Sequence, residues 1–174
     1  MKILIFGSSG LVGSSLVKNL PKIITNSEII PSTREDTNLF SASETLKKVK
    51  STNPDIVVNA AAKVGGIQAN NTERTDFILD NLKININILE SLIPFKNVKV
   101  INLGSSCIYP LGASVPISEE SLLTGKLEPT NSPYAMAKLT SIEIGDAITK
   151  QFGHKIINLM PTNLYGPNDN FSEN

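Results

Sequence analysis

A short β-branched and aromatic run, Lys2-Ile3-Leu4-Ile5-Phe6, passes without a spacer into Gly7-Ser8-Ser9-Gly10-Leu11-Val12-Gly13 and then into Ser14-Ser15-Leu16-Val17-Lys18-Asn19-Leu20. A strand, a tight turn and a helix must follow in that order. Glycines spaced by three between a strand and a helix allow a sharp turn, close approach of backbone N–H groups to an anion, and close helix-to-strand packing. The positive end of the helix then faces the anion, which suits a pyrophosphate. Gly7, Ser8, Ser9, Gly10, Leu11, Val12 and Gly13 are therefore the expected dinucleotide cradle. The helix should bury Leu11, Val12, Leu16 and Leu20 on one face and end at Pro21.

Further apolar runs at 27–30, 55–59, 98–103 and 155–160 read as strands, with helical segments at 43–50, 77–92 and 134–152 between them. Alternating strands and helices of this kind imply a parallel sheet covered on both faces, a doubly wound α/β fold of the Rossmann type. A chain of 174 residues with 40% hydrophobic content fills one such domain, 1–174. The Asn-rich stretch 81–87 fits a helix despite poor local propensity. Residues 111–133, rich in Pro, Gly and Ser, form a long connection above the sheet, and loops of that length tend to be functional.

Sixteen basic residues balance sixteen acidic ones, so no long-range field recruits a nucleic acid or a membrane surface. A single cysteine forms no internal disulfide, and the N-terminus has no signal-peptide pattern, so a cytoplasmic protein is expected. No apolar run approaches the roughly 20 residues that span a bilayer, and no metal site is expected.

The chemistry concentrates at two places. Ser105 and Ser106 follow the fourth apolar run, at the carboxyl edge of the sheet where doubly wound folds bind ligands. A serine there can hydrogen-bond a substrate carbonyl. Tyr134 and Lys138 lie four apart and share one helix face. A phenol with an ordinary pKa of about 10 is a poor acid–base group near neutrality, and the nearby ammonium is expected to lower it. With Cys107, these groups suit proton and hydride chemistry on a keto sugar. After the second strand, Arg34 is the first charged group, and an arginine there favours NADP(H) over NAD(H).

The glycine pattern, the serine after the fourth strand and Tyr134-x-x-x-Lys138 resemble the extended short-chain dehydrogenase/reductase family. Ala60-Ala61-Ala62-Lys63-Val64-Gly65-Gly66-Ile67, Leu103-Gly104-Ser105-Ser106-Cys107-Ile108-Tyr109-Pro110, Leu127-Glu128-Pro129-Thr130-Asn131-Ser132-Pro133-Tyr134 and Pro161-Thr162-Asn163-Leu164-Tyr165-Gly166-Pro167 resemble the branch of that family that makes GDP-L-fucose. The likeness runs from residue 2 to residue 171. It implies epimerisation of GDP-4-keto-6-deoxy-D-mannose at C3 and C5, followed by NADPH-dependent reduction at C4. By the same resemblance Cys107 is the epimerisation base, Tyr134 the proton donor, Lys138 the ribose-binding and tuning group, and Ser105 a ligand of the carbonyl oxygen. Asn163 would contact cofactor or substrate near the nicotinamide. Arg34, Asn38 and Leu39 match the adenosine-phosphate loop, and Ala60, Ala61 and Ala62 line the cofactor, while Ser9 and Ser32 stand where relatives often carry arginines.

The family's histidine acid follows the segment matching Asp169-Asn170-Phe171, and no residue here takes that role. His154, the single histidine, is read as a surface residue of a Gly153-His154-Lys155 turn. The chain then corresponds to an N-terminal cofactor-binding portion, with a sheet that stops after the fifth to sixth strand and without the C-terminal sugar-binding segment. Its unpaired edge and uncovered apolar surface predict association or poor solubility, with a homodimer expected. Two alternatives stand beside the epimerase/reductase reading: an inactive NADP-binding or protein-association module, and another nucleotide-sugar epimerase or dehydratase. Turnover of the GDP-sugar separates the first alternative, and the need for a thiol at Cys107 separates the second.

Overall fold

In the computed structural model, which describes residues 1–167 and 169, the apolar runs form β1 (Lys2–Phe6), β2 (Glu28–Ser32), β3 (Ile56–Asn59), β4 (Lys99–Leu103) and β5 (Lys155–Leu159). Every pairing is parallel, in the order β2-β1-β3-β4-β5, with Ile5 opposite Pro31 on one side and Val58 on the other. The connections carry α1 (Leu11–Ile23), α2 (Ala42–Thr52), α3 (Ile67–Thr72), α4 (Arg74–Leu92) and α5 (Ser132–Phe152). The chain moves outward from β1 to β2, then returns past β1 to β3, so a crevice opens between the carboxyl ends of β1 and β3. Ligands of open parallel sheets bind at such a reversal. Asn170 and Phe171, at the end of the family-like region, lie outside the described residues.

Right-handed crossovers assign the helices to faces. Leu4, Phe6, Val57 and Val100 pack with Val49 of α2, Ile84, Ile88 and Leu89 of α4, and Ile148 of α5. On the opposite face Ile3, Ile5 and Val58 meet Leu16, Val17 and Leu20 of α1. Coverage is thus unequal. The expectation of two covered faces holds on the side of α2, α4 and α5, whereas on the α1 side Ile157 is 56% and Leu159 45% exposed. A lone helix has no neighbour to close its flanks, so Leu11, Val12, Leu16 and Leu20 are only half-buried, and Gly13 is the fully buried residue of α1.

Three local expectations also change. Helix α1 continues through Pro21 to Ile23: the proline forfeits its own bond to the preceding turn, but the Ile24 N–H still reaches the Leu20 carbonyl at 2.8 Å and closes the helix beyond it. Strand β2 extends through Pro31 to Ser32, which an edge strand tolerates. His154 is not a surface residue but 2% exposed, with Nε2 3.1 Å from the Ile93 carbonyl oxygen. Gly153, left-handed at φ 78°, ends α5 and turns the chain so that the ring enters beneath the end of α4.

Candidate active site

The glycine turn is held from two sides. The N–H groups of Gly7 and Ser8 donate to the Ser32 carbonyl at 3.1 and 3.2 Å, fixing the turn to the end of β2. Gly7 adopts φ +76°, and a Cβ there would lie 2.7 Å from the Ala61 backbone. A Cβ on Gly13 would lie 2.1 Å from the Gly7 carbonyl oxygen. Ser8 is 6% exposed and its Oγ has no partner. A buried hydroxyl left unpaired is costly, and an anion oxygen at the turn would satisfy it. The first turn of α1 carries no acidic residue to oppose that anion. The residues present therefore fit a dinucleotide pyrophosphate.

Three buried asparagines shape the opposite wall, the loop after β3. Asn59 Oδ1 accepts the Ala61 N–H, Asn81 brackets Lys63 by accepting its N–H and donating to its carbonyl, and Asn70 donates to the carbonyls of Gly65 and Gly66. The Lys63 ammonium pairs with Glu73 at 2.8 Å and lies 5.4 Å from the Phe77 ring centroid. Ala60, Ala61 and Ala62 are thus half-buried beside the glycine turn on a loop pinned by its own backbone. Sequence reasoning missed the roles of Asn59, Asn70 and Asn81. The available signal was Asn81 and Asn85 falling on the stripe of Phe77, Ile84 and Ile88, since a polar residue on a buried helix face needs a partner.

The catalytic candidates come together at the carboxyl end of β4. Ser105 leads into the short 3-10 turn Ser106–Ile108, and its Oγ accepts the Cys107 N–H at 3.2 Å. The Ser106 N–H donates to the Pro161 carbonyl at 3.0 Å, joining this turn to the segment after β5. Helix α5 begins beside it. The Arg74 guanidinium donates to the carbonyls of Pro129 and Thr130 and to Ser132 Oγ, and the Glu128 carboxylate accepts the N–H groups of Thr130 and Asn131. These contacts fix the first turn of α5, where Tyr134 stands with its ring edge-on to Phe77, centroids 6.5 Å apart.

Lys138, one turn on, is 2% exposed and donates from Nζ to the Leu103 carbonyl at 2.7 Å, with the Tyr134 ring 5.7 Å away. Behind it runs a ladder of buried amides. Asn59 Nδ2 donates to Asn85 and Asn102, and Asn102 Nδ2 donates to Asn158 and Ser141 Oγ, whose hydroxyl in turn donates to the Lys138 carbonyl. The ladder ties β3, β4 and β5 to α4 and α5.

Burial, reinforced by the neighbouring Cys107 and opposed by Ser105, pushes the Tyr134 phenol up to about 12. The expected lowering by Lys138 does not occur. That ammonium is itself disfavoured, its pKa pushed down to about 8 from an ordinary 10.5 by burial. Unfolding returns Lys138 to its ordinary value, so between these pH values the unfolded chain binds a proton that the folded one lacks. Stability contributed by this group should therefore rise from about pH 8 to 10.5, by roughly 3 kcal/mol at ~1.4 kcal/mol per unit. Urea unfolding across that window should show the rise in the parent and not in Lys138→Met; equal slopes in both would exclude Lys138 as its source.

At the far end of the crevice, Arg34 and Asn38 are exposed in the turn after β2, and Leu39 is half-buried against the core, with its carbonyl accepting Asn87 Nδ2 at 2.8 Å. Asn163 is exposed beyond β5 and is not joined to the other candidates by a described hydrogen bond. Among the described residues no cluster of His, Cys, Asp and Glu is arranged to hold a metal, and no helix is long and apolar enough to cross a membrane.

A glycine cradle at the reversal of a five-stranded parallel sheet, with Ser105, Tyr134 and Lys138 placed around the end of β4, defines a Rossmann-type unit with a turn that fits a dinucleotide. Residues 3–174 match the NAD dependent epimerase/dehydratase family, and the chain belongs to it. It is 44% identical over 173 residues to a GDP-L-fucose synthase of Sinorhizobium fredii, covering 99% of this chain and 54% of that protein. A GDP-L-fucose synthetase from Naegleria fowleri bound to NADP superimposes with a TM-score of 0.89 at 30% identity, over 98% of this chain and 53% of that one. A GDP-D-glycero-L-gluco-heptose synthase from Campylobacter jejuni, solved in the presence of NADPH, superimposes at 0.90 with 34% identity, over 99% and 50%. The chain spans about half the length of the relatives it matches.

Proposed function

We propose that residues 1–174 form the NADP-binding unit, and carry most of the acid–base groups, of an enzyme that epimerises and reduces GDP-4-keto-6-deoxy-D-mannose, the activity of a GDP-L-fucose synthase. The observation that carries this reading is the convergence of Ser105, Cys107, Tyr134 and Lys138 beside a glycine cradle that holds an unpartnered buried serine. The relatives' names, and the NADP and NADPH of the solved neighbours, support it.

NADPH, when bound, supplies a hydride to C4. Tyr134, whose phenol stays protonated far above neutral pH, carries the proton that the resulting alkoxide needs. Lys138 stabilises the phenolate as that proton leaves and offers its remaining N–H groups to the cofactor ribose. Ser105 donates to the same carbonyl oxygen. In the epimerisation the C4 carbonyl acidifies the protons at C3 and C5, and the hydrogen bonds from Ser105 and Tyr134 stabilise the enolate. Cys107 is the base that removes those protons, and inversion at each carbon is completed when an acid on the opposite face, a role that none of Ser105, Cys107, Tyr134 and Lys138 takes, returns a proton to the enolate. The glycine turn with Ser8 and Ser9 would hold the pyrophosphate, Ala60 to Ala62 would line the cofactor, Asn163 would contact cofactor or substrate near the nicotinamide, and the loop of Arg34, Asn38 and Leu39 would take the adenosine 2′-phosphate, with Arg34 supplying the charge.

A second copy packs on the outer face of α4 and α5, where Leu79, Ile86 and Met136 are exposed and a groove of about 330 Å³ runs between Arg74, Ile78, Pro133 and Met136. A cytoplasmic setting suits the free thiol of Cys107.

Incubation of the protein with NADPH and the GDP-keto sugar in deuterated water tests the reading. Expected are deuterium at C3 and C5 by NMR, loss of NADPH absorbance, and failure of deuterium entry in Cys107→Ser with cofactor binding intact. A protein that binds NADPH yet gives neither exchange nor oxidation is a binding module instead. Sedimentation of the same sample should give a dimer at micromolar concentration, and a monomer would remove the proposed packing.

A further inference from the structure

The turn after β2 contains Arg34, the one cation between Lys22 and Lys47, and next to it two acids, Glu35 and Asp36. Taken as a sum of charges, this turn would repel a phosphate. Its hydrogen bonds, however, fix where those negative charges sit. Thr33 gathers both carboxylates: its N–H donates to Asp36 Oδ2 at 2.9 Å, and its hydroxyl lies 2.8 Å from Glu35 Oε2 and 3.0 Å from Asp36 Oδ2. The Asp36 N–H returns to Thr33 Oγ1 at 3.4 Å. The chief cause that lowers the pKa of each acid is a hydrogen bond from Thr33, from its hydroxyl to Glu35 and from its N–H to Asp36.

The turn is anchored at its two ends. Ser32 is 1% and Thr37 3% exposed, their hydroxyls are 3.0 Å apart, and the Thr37 N–H donates to the Thr33 carbonyl. The Ser32 carbonyl also accepts the N–H groups of Gly7 and Ser8, so the 33–36 turn sits directly against the phosphate cradle. Arg34 is exposed and takes no part in the described hydrogen bonds of the turn.

We propose that Thr33 is a specificity-determining residue: by holding the carboxylates of Glu35 and Asp36 it withholds them from a ribose 2′-hydroxyl and leaves Arg34 as the lone charged ligand for an adenosine 2′-phosphate. The inference rests on the NADP reading above and deepens it. An acid released from Thr33 acts twice, repelling a 2′-phosphate and becoming available to accept from a 2′-hydroxyl. Valine is the matching probe, since it keeps the shape and the backbone N–H and removes only the hydroxyl.

Equilibrium titrations with NADPH and NADH, followed by nicotinamide fluorescence, test it on the parent, Thr33→Val, Thr33→Ser and Arg34→Ala. The ratio of the NADH to the NADPH dissociation constant should fall about fivefold in Thr33→Val, the scale of exposed charge interactions, and return in Thr33→Ser. Arg34→Ala should weaken NADPH alone. A purely structural role would raise both constants together, and that outcome, or an unchanged ratio, overturns the proposal. A parent that binds neither nucleotide, or prefers NADH, overturns the NADP reading itself and this inference with it. The parent titration therefore separates the two failures.

Discussion

Gly13→Ala should abolish NADPH binding at accessible concentrations, a loss of at least about a hundredfold, and lower folding stability by about 3 kcal/mol, at the upper end for overpacking. The new methyl would fall 2.1 Å from the Gly7 carbonyl oxygen and 2.8 Å from both the Gly7 carbonyl carbon and Ser8 Cα. All three are backbone atoms, so no side chain can rotate away, and either α1 lifts from β1 or the turn opens. Each displaces the N–H groups that would face the pyrophosphate. Gly10→Ala supplies the contrast, because its Cβ would meet only the Gly7 oxygen at 3.4 Å and its φ of −75° suits any residue. Urea unfolding and NADPH titration of the pair should separate them sharply. If Gly13→Ala bound within threefold of the parent at an unchanged midpoint, the close approach of α1 to the turn would not be what the fold requires.

Asn102→Leu is the second large effect, about 4 kcal/mol of destabilisation in urea unfolding. The substitution keeps the branched shape of the side chain and adds bulk rather than removing it, so it opens no cavity. What it removes is the centre of the amide ladder. Asn102 is fully buried, accepts from Asn59 at 3.0 Å, and donates to Asn158 at 3.0 Å and Ser141 at 3.2 Å. Asn59 and Ser141 then lose a hydrogen bond where water cannot replace it, at ~1–3 kcal/mol for each buried group left unsatisfied, and half-buried Asn158 loses its bond to Asn102 as well. Asn59 retains its bond to Asn85, and Ser141 its bond to the Lys138 carbonyl, which keeps the total below the full sum. A loss under 1 kcal/mol would mean that the surroundings re-pair these groups.

Both variants bear on how far the fold could be read from sequence. The glycine spacing and the Tyr134–Lys138 interval are local patterns, and local patterns survive into structure because the strand and helix periods alone position those side chains. Ser105 and Cys107 were legible for the same reason, being a few residues beyond an apolar strand. Asn102 was not, since an asparagine inside a strand gives no hint that its partners stand 39, 43 and 56 residues away. His154 was misread because its burial depends on Ile93, 61 positions earlier. The shift in Tyr134 ran opposite to the local expectation, since a lysine one turn away lowers a phenol only where its attraction outweighs the cost of burying the phenolate, and here burial governs both groups. The turn after β2 shows the same limit, because net charge says nothing about which carboxylates are already engaged.

The amide ladder has one more consequence, for anyone who measures this protein against pH. Its rungs are carboxamides and a hydroxyl, which neither gain nor lose protons under any condition the fold survives. The frame that aims Lys138 is therefore silent in an acid–base experiment, and an inflection in a rate profile can be ascribed to the reacting groups in front of it.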